Sequence, residues 1–138
     1  MTPAVRVEHL VHVYPDGHRA LGGLTLTVHP GERVAVLGPN GAGKTSLMLH
    51  LNGVLTPTSG TVEISRIPLQ RKNLRQIRER VGVVFQDPDD QLFMPTVAQD
   101  VAFGPANFGL QGARLAERVQ SALEVVSLTD HAGRSPAH

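Results

Sequence analysis

The 138 residues carry 13 Lys and Arg against 12 Asp and Glu, so the net charge of +1 gives no field that would single out nucleic acid or an acidic partner. The absence of cysteine excludes disulfides and thiolate metal sites, and suits a reducing compartment. The apolar fraction of 41% is ordinary for one globular domain, no run nears the ~18 apolar residues of a membrane span, and Met1-Thr2-Pro3 opens no signal peptide, so a soluble, cytoplasmic chain is expected.

In residues 4–14, Val5, Val7, Val11 and Val13 share one parity, with Arg6, Glu8 and His12 on the other. This alternation predicts a half-buried strand. His9 and His12 then face opposite ways, which does not suit a metal site. Tyr14-Pro15-Asp16-Gly17 is a turn, and Leu24, Leu26 and Val28 alternate with Thr25 and Thr27 in a second strand. Two strands joined by a turn predict an antiparallel sheet. His29-Pro30-Gly31-Glu32 then leads into Arg33-Val34-Ala35-Val36-Leu37, an apolar run expected as a strand buried on both faces.

Next comes Gly38-Pro39-Asn40-Gly41-Ala42-Gly43-Lys44-Thr45, a G-x-x-x-x-G-K-T phosphate-binding loop. Ser46 to Asn52 reads as a helix, with Gly53 placed to end it. Glycines let the backbone take positive φ and approach a ligand closely, and loop N–H groups with a helix N-terminus surround an anion. Lys44 adds charge toward the β- and γ-phosphates, and the Thr45 hydroxyl suits Mg2+. Ser46 brings a hydroxyl toward the α-phosphate. Strand, loop and helix predict an α/β P-loop NTPase core.

Thr56-Pro57-Thr58-Ser59-Gly60 is a loop, and Thr61-Val62-Glu63-Ile64 a short strand that can extend the antiparallel sheet. Residues 70–79 set Arg71, Lys72, Arg75, Arg78 and Glu79 around Leu74 and Ile77, the pattern of a solvated helix with one narrow apolar stripe. Val81-Gly82-Val83-Val84-Phe85 is expected as another buried strand, ending at Gln86. Asp87, Asp89 and Asp90 read as turn formers beside Pro88, since they lack calcium-loop spacing. A helix is expected from Thr96, stopped at Gly104-Pro105. A last helix carries Leu115, Val119, Ala122, Leu123 and Val126 on one core-facing stripe. Thr129 to His138 has no fold signal of its own. Tyr14 is the single tyrosine and there is no tryptophan. It is a half-buried strand residue or a platform for a nucleotide base.

With Gly38 to Thr45 and Gln86, which follows Lys44 by about forty residues, the sequence resembles the nucleotide-binding subunit of an ABC transporter. Gln86-Asp87-Pro88-Asp89-Asp90-Gln91-Leu92-Phe93, Pro95-Thr96-Val97 and Asp100-Val101-Ala102-Phe103-Gly104-Pro105-Ala106-Asn107 are similar to the cobalt/nickel and energy-coupling-factor (vitamin uptake) branch. The resemblance runs from about Val5 to the last residue. It implies that Tyr14 stacks on adenine and that Gln86, with Thr45, serves the metal. It assigns Lys44 and Gln86 to catalysis, and Tyr14, Gly38, Pro39, Asn40, Gly41, Ala42, Gly43, Lys44, Thr45 and Ser46 to ATP–Mg2+. It implies residues 1–86 as β-subdomain and P-loop core, and 87–138 as Q-loop and partial helical subdomain. It also implies a transmembrane coupling subunit, a second ATPase subunit in a homo- or heterodimer, no nucleic acid, and a peripheral place on the cytoplasmic face of the membrane. The family's Leu-Ser-Gly-Gly-Gln signature, its Asp-Glu strand end and its switch histidine do not occur here. The chain is therefore expected to be an N-terminal fragment, cut before the signature, that does not hydrolyse ATP alone. Alternatives are a non-catalytic nucleotide-binding remnant and a small P-loop kinase; the latter needs an arginine-rich lid that nothing after Gln86 resembles.

Overall fold

The structure, a computed structural model, describes residues 2–136. The chain divides into two compact units, Met1–Val83 and Val84–His138. The fold is α/β, with an antiparallel N-terminal sheet followed by helices.

The first unit is built on strands β1 (Val5–Val13), β2 (Arg19–Val28), β3 (Ser59–Ile64) and β4 (Ile67–Pro68), in the order β2-β1-β3-β4, all pairs antiparallel. The β1–β2 hairpin closes through Tyr14 N–H to the His18 carbonyl and Gly17 N–H to the Tyr14 carbonyl, both 2.8 Å. β3 begins two residues before the predicted start. β4 was not foreseen, because its turn uses Ser65 (φ 48°) and Arg66 (φ 68°) rather than the glycine or asparagine that usually marks a two-residue hairpin.

The alternation predicted for β1 fails halfway. Val7, Leu10 and His12 are the buried residues, a spacing of three and then two. The pairing with β2 shifts register between Val7 and Leu10, and that with β3 shifts between Glu8 and Val11. His9, at φ 49°, is the extra residue of a bulge. Side chains beyond it change faces. Val11 and Val13, expected on the core face, leave it, and His12, expected among the polar residues, enters it. Gly60 in β3 meets the bulge at φ 85°, where a Cβ would run into the Glu8 and His9 carbonyl oxygens. Only glycine fits there.

Helices α1 (Lys44–Leu51) and α2 (Leu74–Arg80) complete this unit. Leu47 and Ile77 join Val7, Leu10, Leu21, Val62 and Ile64 in one apolar cluster. The remainder of α2 is solvated, as its charge pattern predicts, with Arg75 and Glu79 paired at 3.8 Å on the surface. Gly53, at φ 79°, follows the end of α1 as expected.

Two predicted strands are absent. Residues 33–37 and 81–85 are not members of the sheet formed by the described residues. Val34 is 47% exposed, Leu37 89% and Val84 93%. A strand of this apolar kind exists only when flanking strands take its N–H and C=O groups. The composition records the preference for a buried sheet; the described residues supply no ladder for it.

The second unit pairs α3 (Val97–Asn107) with α4 (Gly112–Val125). All four leading N–H groups of α3 are satisfied. Val97 donates to the Arg134 carbonyl (2.8 Å), Ala98 to that of Ala132 (2.9 Å), Gln99 to Thr96 Oγ1 (3.2 Å) and Asp100 to the Thr96 carbonyl (3.1 Å). Thr96 N–H donates in return to Gln99 Oε1, closing a capping box. The segment from Thr129, expected to lack structure, thus forms a 3-10 turn and caps α3; Ala137 and His138 lie outside the described residues. The predicted stop at Gly104-Pro105 is also corrected. α3 continues to Asn107, since a proline this near the C-terminus removes only one helical bond. Along the α4 stripe Leu123 is buried and Leu115 and Val119 half-buried, whereas Ala122 and Val126, expected in the core, are exposed.

Truncating Ile77 to alanine should lower the stability of the first unit by about 2–5 kcal/mol, because a fully buried side chain leaves a cavity. Arg75→Ala on the exposed face of the same helix should change it by less than about 0.5 kcal/mol. Urea unfolding followed by the fluorescence of Tyr14 checks both; equal losses would contradict the assignment of the core face.

Candidate nucleotide-binding site

The glycine loop leads directly into α1. Ala42 N–H donates to the Pro39 carbonyl at 3.1 Å, turning the chain through Asn40 and Gly41, and Gly41 (φ 86°) and Gly43 (φ 95°) take conformations that a side chain disfavours. Gly43 has a second reason to lack a side chain. A Cβ there would lie 2.5 Å from the Ala20 carbonyl oxygen and 2.9 Å from Leu21 Cδ2. The glycine lets the start of α1 sit against β2. The helix begins at Lys44, two residues before its predicted start, and Leu47 N–H bonds to the Gly43 carbonyl at 2.9 Å.

Lys44 is half-buried, and its Nζ donates to the Gly38 carbonyl, so the cation is folded back across its own loop. Thr45 is exposed beside it. Ser46 is buried, with its Oγ 2.9 Å from the Tyr14 hydroxyl. The structure therefore brings Tyr14, at the end of β1, onto the first turn of α1. The Tyr14 ring lies nearly parallel to that of His18, centroids 6.3 Å apart, and meets His12 edge-on at 4.6 Å. Gln86 belongs to the second unit, where it is exposed at the bend before the 3-10 turn Pro88–Asp90. Asp87 Oδ1 accepts from Asp89 N–H at 3.0 Å, the turn-forming role expected of it.

Two residues missed by sequence reasoning stand behind the loop. His50 is fully buried, with Nδ1 2.7 Å from the Ser46 carbonyl, and its ring meets His12 at 4.8 Å and 76°. His12 in turn places Nδ1 3.1 Å from the Thr56 carbonyl. His12 was hidden by the bulge. His50 had a signal in its spacing, since it follows Leu47 by three and Ser46 by four and so shares their buried face. Burial lowers the pKa of His50 below the ordinary 6.5, against the opposing pull of the Ser46 carbonyl and with a further lowering from His12.

The loop residues fit a phosphate chain and a hard cation. The two positive-φ glycines leave the backbone bare, Lys44 holds a neutral carbonyl that an anion would displace, and a hydroxyl stands exposed next to it at Thr45. Among the described residues no group of three His, Cys, Asp or Glu is placed to hold a metal ion by itself.

The ABC transporter family model matches residues 21–138. A Streptomyces avermitilis chain described as an ABC transporter ATP-binding protein is 57% identical over 99% of this chain and 52% of its own length. The energy-coupling factor transporter ATP-binding protein EcfA of Methanothermobacter thermautotrophicus is 51% identical over 97% of this chain and 44% of its own. The structure of cbiO1 from Clostridium perfringens, described as part of the ABC transporter complex cbiONQ, superimposes with a TM-score of 0.82 at 39% identity, covering 96% of this chain and 53% of the other. The chain thus spans about half the length of the relatives it matches. It belongs to the ABC transporter family.

Proposed function

We propose that Gly38 to Ser46 bind the phosphates of ATP with Mg2+, and that the chain carries the nucleotide-binding loop of an uptake transporter's ATPase subunit. The observation that carries this is a G-x-x-x-x-G-K-T loop whose lysine begins a helix and whose last glycine is sterically required. Bound there, Mg2+ would neutralise the phosphates, with the Thr45 hydroxyl as a protein ligand; a metal role for Gln86 rests on the sequence resemblance alone. Lys44 exchanges the Gly38 carbonyl for phosphate oxygens, a stronger charge-assisted bond. Tyr14 offers its ring to the adenine.

Among the described residues no helix is long and apolar enough to cross a membrane. A peripheral position on the cytoplasmic face, under a transmembrane coupling subunit and beside a second ATPase subunit, is part of the same proposal. The transported solute is a cobalt or nickel ion or a vitamin, a choice that rests on the resemblance of the stretch from Gln86 to Asn107. For the coupling subunit the second unit offers one surface. Phe93 and Phe103 pack edge-on at 4.9 Å while remaining 59% and 45% exposed. Asp100 Oδ1 accepts from the N–H groups of Phe93 and Met94 at 3.4 and 3.3 Å, which holds this apolar turn outward. Such a patch suits the apolar face of a partner helix.

Three outcomes are expected. Lys44→Ala should weaken ATP–Mg2+ binding by about 2–3 kcal/mol in calorimetry, and unchanged affinity would remove the proposed site. Tyr14→Ala should weaken it by about 1–3 kcal/mol and Tyr14→Phe by less, since the stacking ring is kept and only the hydroxyl bond to Ser46 is removed. In the assembled transporter, photo-cross-linkers at positions 92–95 should reach the transmembrane subunit; adducts confined to the ATPase would contradict the docking surface.

A further inference from the structure

We propose that His50 and His12 are positioning residues for nucleotide binding, which hold Tyr14 and the first turn of α1 in their binding arrangement only while the buried His50 imidazole is neutral. The proposal rests on the reading of Gly38 to Ser46 as the nucleotide site.

Four residues form a closed circuit between β1 and α1. His50 Nδ1–H donates to the Ser46 carbonyl at 2.7 Å. The Ser46 hydroxyl meets the Tyr14 hydroxyl at 2.9 Å. The Tyr14 ring packs against His12 at 4.6 Å, and His12 against His50 at 4.8 Å. Each contact joins the strand that carries the base platform to the helix that carries Lys44, or braces one that does. Because a carbonyl only accepts, the proton of neutral His50 sits on Nδ1. Nε2 is then a bare lone pair, buried and without a hydrogen-bond partner. A second proton can go only there.

Protonation would place a charge in a site that excludes water, directly against a second histidine. The groups facing His50 are His12 and Tyr14 from β1, the Thr56 carbonyl from the segment after α1, and Ser46 on its own helix; His18, from the hairpin turn, stands behind Tyr14. Those that act on its charge are the Ser46 and Thr56 carbonyls and His12, and no carboxylate is among them. The sign follows. A buried imidazole that resists protonation keeps the arrangement intact above the ordinary histidine value of 6.5, and the arrangement fails as pH falls below it. The cheapest relief is for the rings to separate, which pulls Tyr14 away from Ser46 and from the loop.

Tyr14 is the only tyrosine and there is no tryptophan, so intrinsic fluorescence reports on this circuit directly and needs no nucleotide. The 138-residue chain should show a fluorescence transition below pH 6.5 with far-UV circular dichroism unchanged. His50→Asn keeps a neutral donor and should remove the transition, as should His12→Asn. The affinity for ATP–Mg2+ should be weaker at about pH 5.5 than at about pH 7.5 in the wild type, by less than about tenfold because the His50 pKa is lowered, and the loss should be much smaller in His50→Asn. His50→Phe fills the space without a donor and should bind about tenfold more weakly at both pH values. A fluorescence and affinity profile that persists in both asparagine variants, or a dichroism change in step with the fluorescence, would overturn the proposal. So would wild-type affinity in His50→Phe. Lys44→Ala, measured in parallel, separates the two ideas. If it binds like the wild type, the nucleotide site itself is wrong; if it alone loses binding, only the histidine proposal fails.

Discussion

One extra residue in β1 governs the face that this sheet presents to α1. Up to Val7 the odd-numbered side chains face the core; after the bulge at His9 the even-numbered ones do. Leu10, His12 and Tyr14 therefore follow one another on the side where α1 packs, and the tyrosine that ends the series reaches Ser46. In an unbroken strand the period of two would send Tyr14 to the opposite face. The bulge is in turn held by Gly60, whose missing side chain gives the Glu8 and His9 carbonyls room. A glycine in β3 thus determines where an aromatic ring in β1 can act.

The second constraint is the close approach of β2 to the loop. Gly43 permits the Ala20 carbonyl to lie against the start of α1, and Leu47, one turn later, enters the cluster of Val7, Leu10 and Leu21. The helix that follows the glycine loop is anchored through that burial, on the order of 2 kcal/mol for such a side chain. The exposed part of the glycine loop comes within six residues of the buried anchor. Lys44 spans the transition, half-buried along its stem and bonded at its tip to the Gly38 carbonyl.

Much of this was legible from residue types. The glycine spacing located the loop and its helix, the charge distribution of residues 70–79 located the exposed face of α2, and Gly53 marked the end of α1. The failures share a physical origin, since each depends on a partner distant in sequence. The bulge arises from pairing with β2 and β3 and has no local signature apart from a histidine at positive φ. His12 entered the core only because of it. The cap on α3 comes from carbonyls of Ala132 and Arg134, more than thirty residues away. Residues 33–37 and 81–85 illustrate the converse: their composition suits a buried sheet, yet strand geometry requires neighbours that the described residues do not provide.

The account stands or falls on which face of β1 meets α1. The most direct measurement is a set of nuclear Overhauser contacts from the ring protons of Tyr14, which is unambiguous to assign because the chain has no other tyrosine. The bulged register predicts contacts from this ring to the Ser46 β-protons and to the His12 ring. Contacts from the Val11 and Val13 methyl groups to α1, with the Tyr14 ring silent toward Ser46, would contradict it.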